Sequence, residues 1–319
     1  MQKILSEIKR AKSIAIFSHI NPDPDAIGSA LALKLALEKS GKKVGLFCDA
    51  ELNADFAFLE DYKNYNQEKL DGFELYVSVD VSADNMLGKF EKDFKCFSNT
   101  IKIDHHEIGN DFAKLSYVKF ESACAIVVFE LLNGLKTKID SDIATRLYFA
   151  ICGDTGIFHN NNTDSKTFLV CSKLVSMGAK VQWVYDNFFD KKTVSNVFLT
   201  SNALLNASLD DKLKYAIMVV SLNDYKKFNA TETDSLGNLP NTFLNCGYKI
   251  AVILKEKSDC IRCSFRSKDG YNVSLLAGIF GGGGHKNAAG CTIFASLKQA
   301  ESMVRREIEL FLKEKTNEN

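Results

Sequence analysis

Proline is nearly missing from this chain: there are three in 319 residues, and two of them stand two apart, at Pro22 and Pro24. Each ring fixes its own φ and keeps the residue before it out of helix, so the one place where proline is concentrated is stiff and extended. Long apolar runs are missing too. No stretch approaches about 18 uninterrupted apolar residues, and the first ten residues alternate charge with aliphatics, so neither a membrane span nor a signal peptide is expected and the chain reads as cytoplasmic. An excess of one charge is absent, with 40 basic and 40 acidic residues, which argues against a protein that tracks long duplex nucleic acid through phosphate contacts alone. Tryptophan occurs once and histidine five times. Cysteine is not scarce, but the nine are scattered among apolar neighbours, as reduced buried thiols would be. The one Cys-x-x-Cys, Cys260 and Cys263, falls in a run that reads as strand, where an odd separation puts the side chains on opposite faces and no zinc site is expected.

What is present is ordinary globular material, 46% apolar and 25% charged, in a length that suits two domains. Short apolar runs at Ile14 to Ser18, Val44 to Cys48, Leu75 to Asp80 and Ile101 to His106 read as buried strands. They alternate with helices at residues 26–38, 54–62, 123–133 and 141–152, Gly41 serving as a helix stop. That alternation predicts an α/β fold with a mostly parallel sheet and flanking helices, in which ligands gather beyond the carboxyl ends of the strands. Residues 166–207 read as helical. Strands at 214–221, 249–255, 260–267 and 291–294, a helix from Val273 and a closing helix over 297–313 predict a smaller C-terminal α/β domain. The expected division is a catalytic domain over 1–190, a helical connector over 191–209 and a second domain over 210–319. The stretch 231–245, rich in Asn, Thr and Gly, is the least ordered-looking.

The proline-stiffened loop is His19-Ile-Asn-Pro-Asp23-Pro-Asp25-Ala-Ile-Gly-Ser29, between a strand and a helix. It can present imidazole and two carboxylates as fixed donors, a set that suits a first-row divalent ion. A plain turn with Asp25 as the helix N-cap would use the same residues. Two further strands end in Asp80 and in Asp104-His105-His106, and a helix ends in Gly153-Asp154-Thr155-Gly156. Aspartates at four such places could balance two divalent ions, with Asp80 shared between them as in in-line phosphoryl chemistry. Later, Gly281, Gly282, Gly283 and Gly284 precede His285, and four glycines let backbone N–H groups converge on an anion. Without a following Gly-Lys-Ser/Thr they are not a nucleotide-triphosphate loop. Arg262, Ser264 and Arg266 share a strand face, where guanidinium groups could hold a phosphate. His159 reads as a loop histidine and Trp183 as core.

With these motifs in order, the chain resembles the DHH phosphoesterases, named for the Asp104-His105-His106 triplet, and in particular the stand-alone oligoribonuclease (nanoRNase) and 3′-phosphoadenosine 5′-phosphate phosphatase type, with RecJ-type exonucleases as larger relatives. The segment Gly281 to Gly290 matches the DHH-associated C-terminal domain. The resemblance implies one ion, most simply Mn2+ with Mg2+ or Co2+ as alternatives, on His19, Asp23 and Asp80, and a second on Asp25, Asp80, His105 and Asp154. Asp104 would orient a neighbouring imidazole, and His106 would face the scissile phosphate. Arg266 and His285, with Gly282, Gly283, Gly284 and Arg262 beside them, would hold the substrate's terminal phosphate across a cleft. The implied substrates are short oligoribonucleotides, linear dinucleotides such as pApA, and 3′-phosphoadenosine 5′-phosphate (pAp). A homodimer is compatible with the same resemblance. The rival readings are an inorganic pyrophosphatase, whose C-terminal domain lacks the glycine-histidine run, and a non-catalytic nucleotide-binding regulator, which would not need both ion sites.

Overall fold

The computed structural model describes residues 1–51, 53–231, 236 and 239–317, and the chain divides into two compact units, Met1–Lys191 and Lys192–Asn319. Among the described residues no helix is long and apolar enough to cross a membrane.

The first unit runs α1 (Gln2–Arg10), β1 (Ser13–Phe17), α2 (Pro24–Lys39), β2 (Lys43–Phe47), β3 (Leu75–Val79), α3 (Glu91–Cys96), β4 (Thr100–Asp104), β5 (Leu115–Val118), α4 (Cys124–Leu135), α5 (Ser141–Asp154), α6 (Ser165–Ser176) and α7 (Val181–Val184). Its five strands lie in the order β2-β1-β3-β4-β5, all parallel. The three central strands are covered on both faces; β1 and β3 accordingly read as apolar runs, while β4 alternates polar with apolar residues although every residue in it is buried. On one face, Ile14, Ile16, Val77, Ile101 and Ile103 pack with α2, α4 and α5. On the other, Phe17, Phe47, Tyr76 and Phe94 form an aromatic layer, with Phe17 stacked on Phe47 at 5.3 Å and edge-on to Phe94. Trp183 is half-buried against Phe58. The expected helix over 54–62 is instead two 3-10 turns, Ala54–Phe56 and Glu60–Asn64. From β1 the chain goes to one side for β2 and to the other for β3, so the switch point of this sheet lies between the carboxyl ends of β1 and β3, where ligands bind in such folds.

The second unit runs α8 (Val194–Leu205), β6 (Ser208–Asp210), β7 (Tyr215–Val220), α9 (Leu222–Lys227), α10 (Asn241–Asn245), β8 (Ile250–Glu256), β9 (Ile261–Ser267), α11 (Val273–Ile279), β10 (Gly283–His285), β11 (Ala288–Ile293) and α12 (Leu297–Asn317). Its six strands form a mixed sheet, β10-β11-β9-β8-β7-β6, with only β7 and β8 parallel. One face packs Val252, Leu254 and Phe265 against α11 and α12. The other packs Ala216, Met218 and Ile253 with Leu199 and Ala203 of α8, so the helix expected to act as a connector is part of this unit's core. Within 231–245, residues 241–245 are helical, while 232–235, 237 and 238 lie outside the described residues. All nine cysteines are free thiols; six are buried, but Cys96 and Cys246 are exposed and Cys260 is intermediate, so the expectation of buried thiols holds only in part.

Candidate metal centre

His19 lies two residues beyond β1. Its ring is buried, Nε2 stands 3.9 Å from Asp80 Oδ2, and Nδ1 has no hydrogen-bond partner. Burial pulls the imidazole below its ordinary pKa, opposed only in part by Asp23. A neutral imidazole with lone pairs to give is what a metal ligand requires.

The loop then enters α2 with Pro24 in the first turn. The N-cap is Asp23, whose Oδ1 accepts the Ala26 N–H at 3.0 Å. Asp25, the alternative cap in the sequence, has a different task. It is 1% exposed; its Oδ2 accepts the Cys124 N–H at 2.5 Å, and its Oδ1 accepts Ala125 N–H at 3.0 Å and Ser29 Oγ–H at 2.8 Å. Helix α4 has no capping side chain of its own, so Asp25 satisfies its first N–H groups and places negative charge at its positive end.

Asp80 follows β3 with φ +61°, a left-handed conformation that aspartate tolerates better than most side chains. Its N–H donates to Ile103 at 3.0 Å. Its Oδ1 is buried without a hydrogen-bond partner, 3.4 Å from His105 Nε2 and 3.7 Å from His106 Nδ1. Burial and then the neighbouring carboxylates of Asp25, Asp23, Asp104 and Asp154 push its carboxyl well up. Asp25 is raised in the same way, by burial and then by Asp154 and Asp23.

At the end of β4, His105 Nδ1 is 2.9 Å from the Glu121 carbonyl oxygen. A carbonyl only accepts, so Nδ1 carries the proton and Nε2 is left as a donor of electrons. That Nε2 lies 3.8 Å from Asp154 Oδ2 and 3.9 Å from Asp25 Oδ2. Asp104 is fully buried; its Oδ1 accepts His106 Nδ1–H at 2.7 Å and the His105 N–H at 2.8 Å. Burial opposes its charge, but His106 and Lys102 more than offset this and hold its carboxyl below the ordinary range. The bond to Asp104 in turn raises His106, whose ring is partly exposed.

Asp154 is delivered by the close approach of two helices. A Cβ on Gly28 would stand 2.6 Å from the Arg146 carbonyl oxygen, and one on Gly153 would stand 2.4 Å from Pro24 Cβ. Only glycine lets the end of α5 come this near to the start of α2.

The ligand atoms of His19, Asp23 and Asp80 lie within 4.8 Å of one another, as do those of Asp25, His105 and Asp154 and those of Asp80, His105 and His106. The structure therefore gathers all six sequence-predicted ligands, with Asp80 and His105 at the junction. Orphaned Nδ1 of His19 and Oδ1 of Asp80, together with carboxyls raised by burial and then by mutual repulsion, make a donor set that fits divalent cations. His159 is exposed and joins none of these groups among the described residues. Sequence reasoning missed what Ser29, the Glu121 carbonyl and Lys102 do: Ser29 stands in the first motif but was given no task there, and the other two, one on His105 and one on Asp104, stand in no motif.

The predicted substrate residues lie on the sheet of the second unit. Arg262, Ser264 and Arg266 alternate with the buried Ile261, Cys263 and Phe265 and so share the opposite face. Arg262 lines a pocket of about 710 Å³ with Lys255, Lys257, Thr292, Phe294 and the glycines 281–283. Burial, then the charges of Lys257, Arg262 and Arg266, lowers the Lys255 ammonium, as in a cationic pocket short of anions. Arg266 and His285 are not in that lining. They stand in one row, since His285 pairs with Ala288 and Ala288 with Arg266, two strand spacings or about 10 Å apart. Gly282 passes so close to β11 that a Cβ would stand 2.2 Å from the Gly290 carbonyl oxygen. Lys255, Lys257, Thr292 and Phe294 carried no motif and were not predicted.

Two family domains match this chain: the DHH family N-terminal domain over residues 13–151 and the DHHA1 domain over residues 212–314. A Streptococcus mutans protein named probable bifunctional oligoribonuclease and PAP phosphatase NrnA is 30% identical over 319 residues, covering 97% of this chain and 98% of its own. The Bacillus subtilis bifunctional oligoribonuclease and PAP phosphatase NrnA is 26% identical over 300 residues, covering 92% and 93%. Among solved structures, an exopolyphosphatase-related protein from Bacteroides fragilis superposes with a TM-score of 0.87 at 24% identity, covering 99% of this chain and 97% of that one. With the triplet Asp104-His105-His106 set between two ligand groups, and with relatives similar from end to end, the chain belongs to the DHH family.

Proposed function

We propose that this protein is a two-metal phosphoesterase acting on short substrates: oligoribonucleotides of a few residues, linear dinucleotides such as pApA, and pAp. The observation that carries this reading is the meeting of two ligand groups at Asp80 and His105, whose facing atoms are 3.4 Å apart. His19, Asp23 and Asp80 would hold one ion, and Asp25, Asp80, His105 and Asp154 the other. Manganese is our assignment, with Mg2+ or Co2+ as alternatives, because the donors are imidazoles and carboxylates without thiolate. When bound, the ions supply positive charge that polarises the phosphoryl group and acidifies water.

The chain's own residues do the positioning. The Glu121 carbonyl keeps His105 Nε2 turned toward the carboxylates. The hydrogen bonds of Asp25 to Cys124, Ala125 and Ser29 fix its orientation. Asp104 Oδ1 accepts a hydrogen bond from His106 Nδ1–H and favours the charged ring, whose Nε2–H would face the scissile phosphate and give its proton to the departing oxygen. Arg266 and His285 take the substrate's terminal phosphate, and the Arg262 pocket, with Gly282 to Gly284 beside it, takes a further nucleotide. The names carried by the B. subtilis and S. mutans relatives support this substrate class, as does a net charge of zero, which disfavours long nucleic acid. A cytoplasmic setting suits nine free thiols.

The test is a side-by-side rate comparison on pAp, pApA, a five-residue RNA and pyrophosphate, with Mn2+ and after chelation. Metal-dependent release from the first three is expected. Turnover of pyrophosphate alone would make the protein a pyrophosphatase, and binding without turnover would make it a regulator. In the same assay Arg266→Ala is expected to raise KM about tenfold or more with kcat held, the loss of a charge-assisted phosphate contact; an unchanged KM would remove Arg266 from the site.

A further inference from the structure

Lys102 is a buried lysine in the middle of a sheet, 3% exposed, on a strand whose every residue is buried. It lies two residues before Asp104 on β4, so both side chains leave the same face, while Ile101 and Ile103 enter the core on the other. An ammonium cannot stay charged in such a place without partners. It has them: Nζ donates to the Ser82 carbonyl at 2.7 Å and to the Asn110 carbonyl at 3.2 Å, stands 3.2 Å from Asp104 Oδ2, and lies 5.3 Å from the Phe112 ring centroid. These partners come from three segments: the exit of β3 beyond Asp80, the strand end carrying Asp104, and the loop after His106.

We infer that Lys102 is a positioning residue for the hydrolytic centre, fixing the Asp104 carboxylate and, through it, the ring of His106. The inference rests on the role proposed above for His106. Asp104 divides its two oxygens: Oδ1 takes the His106 Nδ1–H, and Oδ2 faces Lys102. Without the ammonium, a fully buried carboxylate loses its counter-charge on one side. It is then free to rotate, and His106 Nδ1 loses a fixed acceptor. The imidazole is then free to turn, and Nε2 no longer holds one direction toward the phosphate. The two carbonyl contacts hold residues 82 and 110 to the same point, so the loop behind His106 loses an anchor as well. Lys102 touches none of the residues assigned to the ions, so ion binding is left intact.

The experiment compares Lys102→Met, Asp104→Asn and the double variant. For Lys102→Met we expect kcat to fall about thirtyfold, part of what an acid–base group contributes, with KM within about threefold and Mn2+ stoichiometry unchanged by calorimetry. The double variant should be no slower than the slower single one, because both changes break one chain of contacts. Multiplying losses would show that Lys102 acts by packing alone and would overturn the inference. Lys102→Gln keeps donors toward the two carbonyls without the charge, and takes the place of Lys102→Met should that variant not fold. Nitrogen-15 shifts of the His106 ring give a readout independent of turnover. One ring environment, with Nδ1 hydrogen-bonded to Asp104, is expected in the unsubstituted protein and more than one in the variant; identical spectra would overturn the inference even if the substrate assignment stands. Absence of metal-dependent hydrolysis in the unsubstituted protein, with the spectral change present, would sink the substrate assignment and leave the positioning role.

Discussion

Single side chains in this centre carry two tasks each. Asp80 ends β3 by adopting φ +61°, a conformation that costs a non-glycine residue about 1 kcal/mol or more, and that turn aims its carboxylate among the imidazoles of His19, His105 and His106. Asp80→Ala should therefore remove a ligand from both ions. Turnover is expected to drop more than about a thousandfold, with Mn2+ binding weakened at both sites in calorimetry; near-normal rates with two bound ions would contradict a shared Asp80. Its place was legible because an apolar run that stops at an acid marks a strand end in an α/β sheet. The second task of Asp25 was not. Its partners Cys124 and Ala125 lie 99 and 100 residues away, and no local pattern says that α4 starts without a cap. Lys102 escaped notice for a similar reason, since one lysine in a short strand reads as a solvated face until the third dimension covers it.

At the scale of elements, the centre depends on how near α2 and α5 can come. Gly153→Ala would put a Cβ 2.4 Å from Pro24 Cβ, an overpacking that costs about 1–3 kcal/mol. It should also push Asp154 away from Asp25, so we expect a lower melting temperature and a second ion bound about tenfold more weakly. A variant that melts lower but binds both ions normally would show that the helix contact serves stability alone. Another inter-element tie joins β5, α4 and α6. Glu130 on α4 accepts Tyr117 O–H at 2.9 Å and Lys166 Nζ–H at 2.7 Å and pairs with Lys119, and Lys166 also pairs with Glu121, whose carbonyl holds His105. Burial disfavours the Glu130 charge, but these three donors win and bring its carboxyl down to about 2. A carboxylate depressed in the folded state stabilises above its unfolded pKa and loses that stabilisation as pH falls through the folded value. Glu130→Gln should thus cost on the order of 1 kcal/mol near neutral pH, a figure reduced for solvent screening, and the gap from the unsubstituted protein should close between about pH 4.5 and about pH 2 in melts. A gap that persists at pH 2 would mean the charge is not the cause. Elements β1 and β3 were legible because burial on both faces makes them largely apolar, and β4 because its two isoleucines lead into a charged strand end. Strand β5, half-exposed and four residues long, has no such signature, and the three-residue strand β10 is spelled in glycine and histidine, which reads as a turn.

For the molecule as a whole, the sequence showed two α/β parts, but it took α8 for a link because amphipathic patterning does not say which core a helix joins. Leu199 and Ala203 answer that, packed with Met218 and Ile253 of the second unit. Two units with separate cores should respond separately to metal. In the first unit burial, and then neighbouring like charges, raise the carboxyls of Asp25 and Asp80, so removing divalent ions should leave buried carboxylates uncompensated in its core. No comparable acidic group lies among the described residues of the second unit. Ligand present at about a hundred times its Kd stabilises the state that binds it by about 2.7 kcal/mol. Amide exchange compared with Mn2+ and with a chelator should accordingly show protection lost in β1, β3, β4 and the start of α4 on chelation, and unchanged protection in β8, β9 and β11. Equal loss in both sheets would mean that the ions stabilise the chain by some route other than this carboxylate cluster, and no change in either would remove the cluster as a metal site.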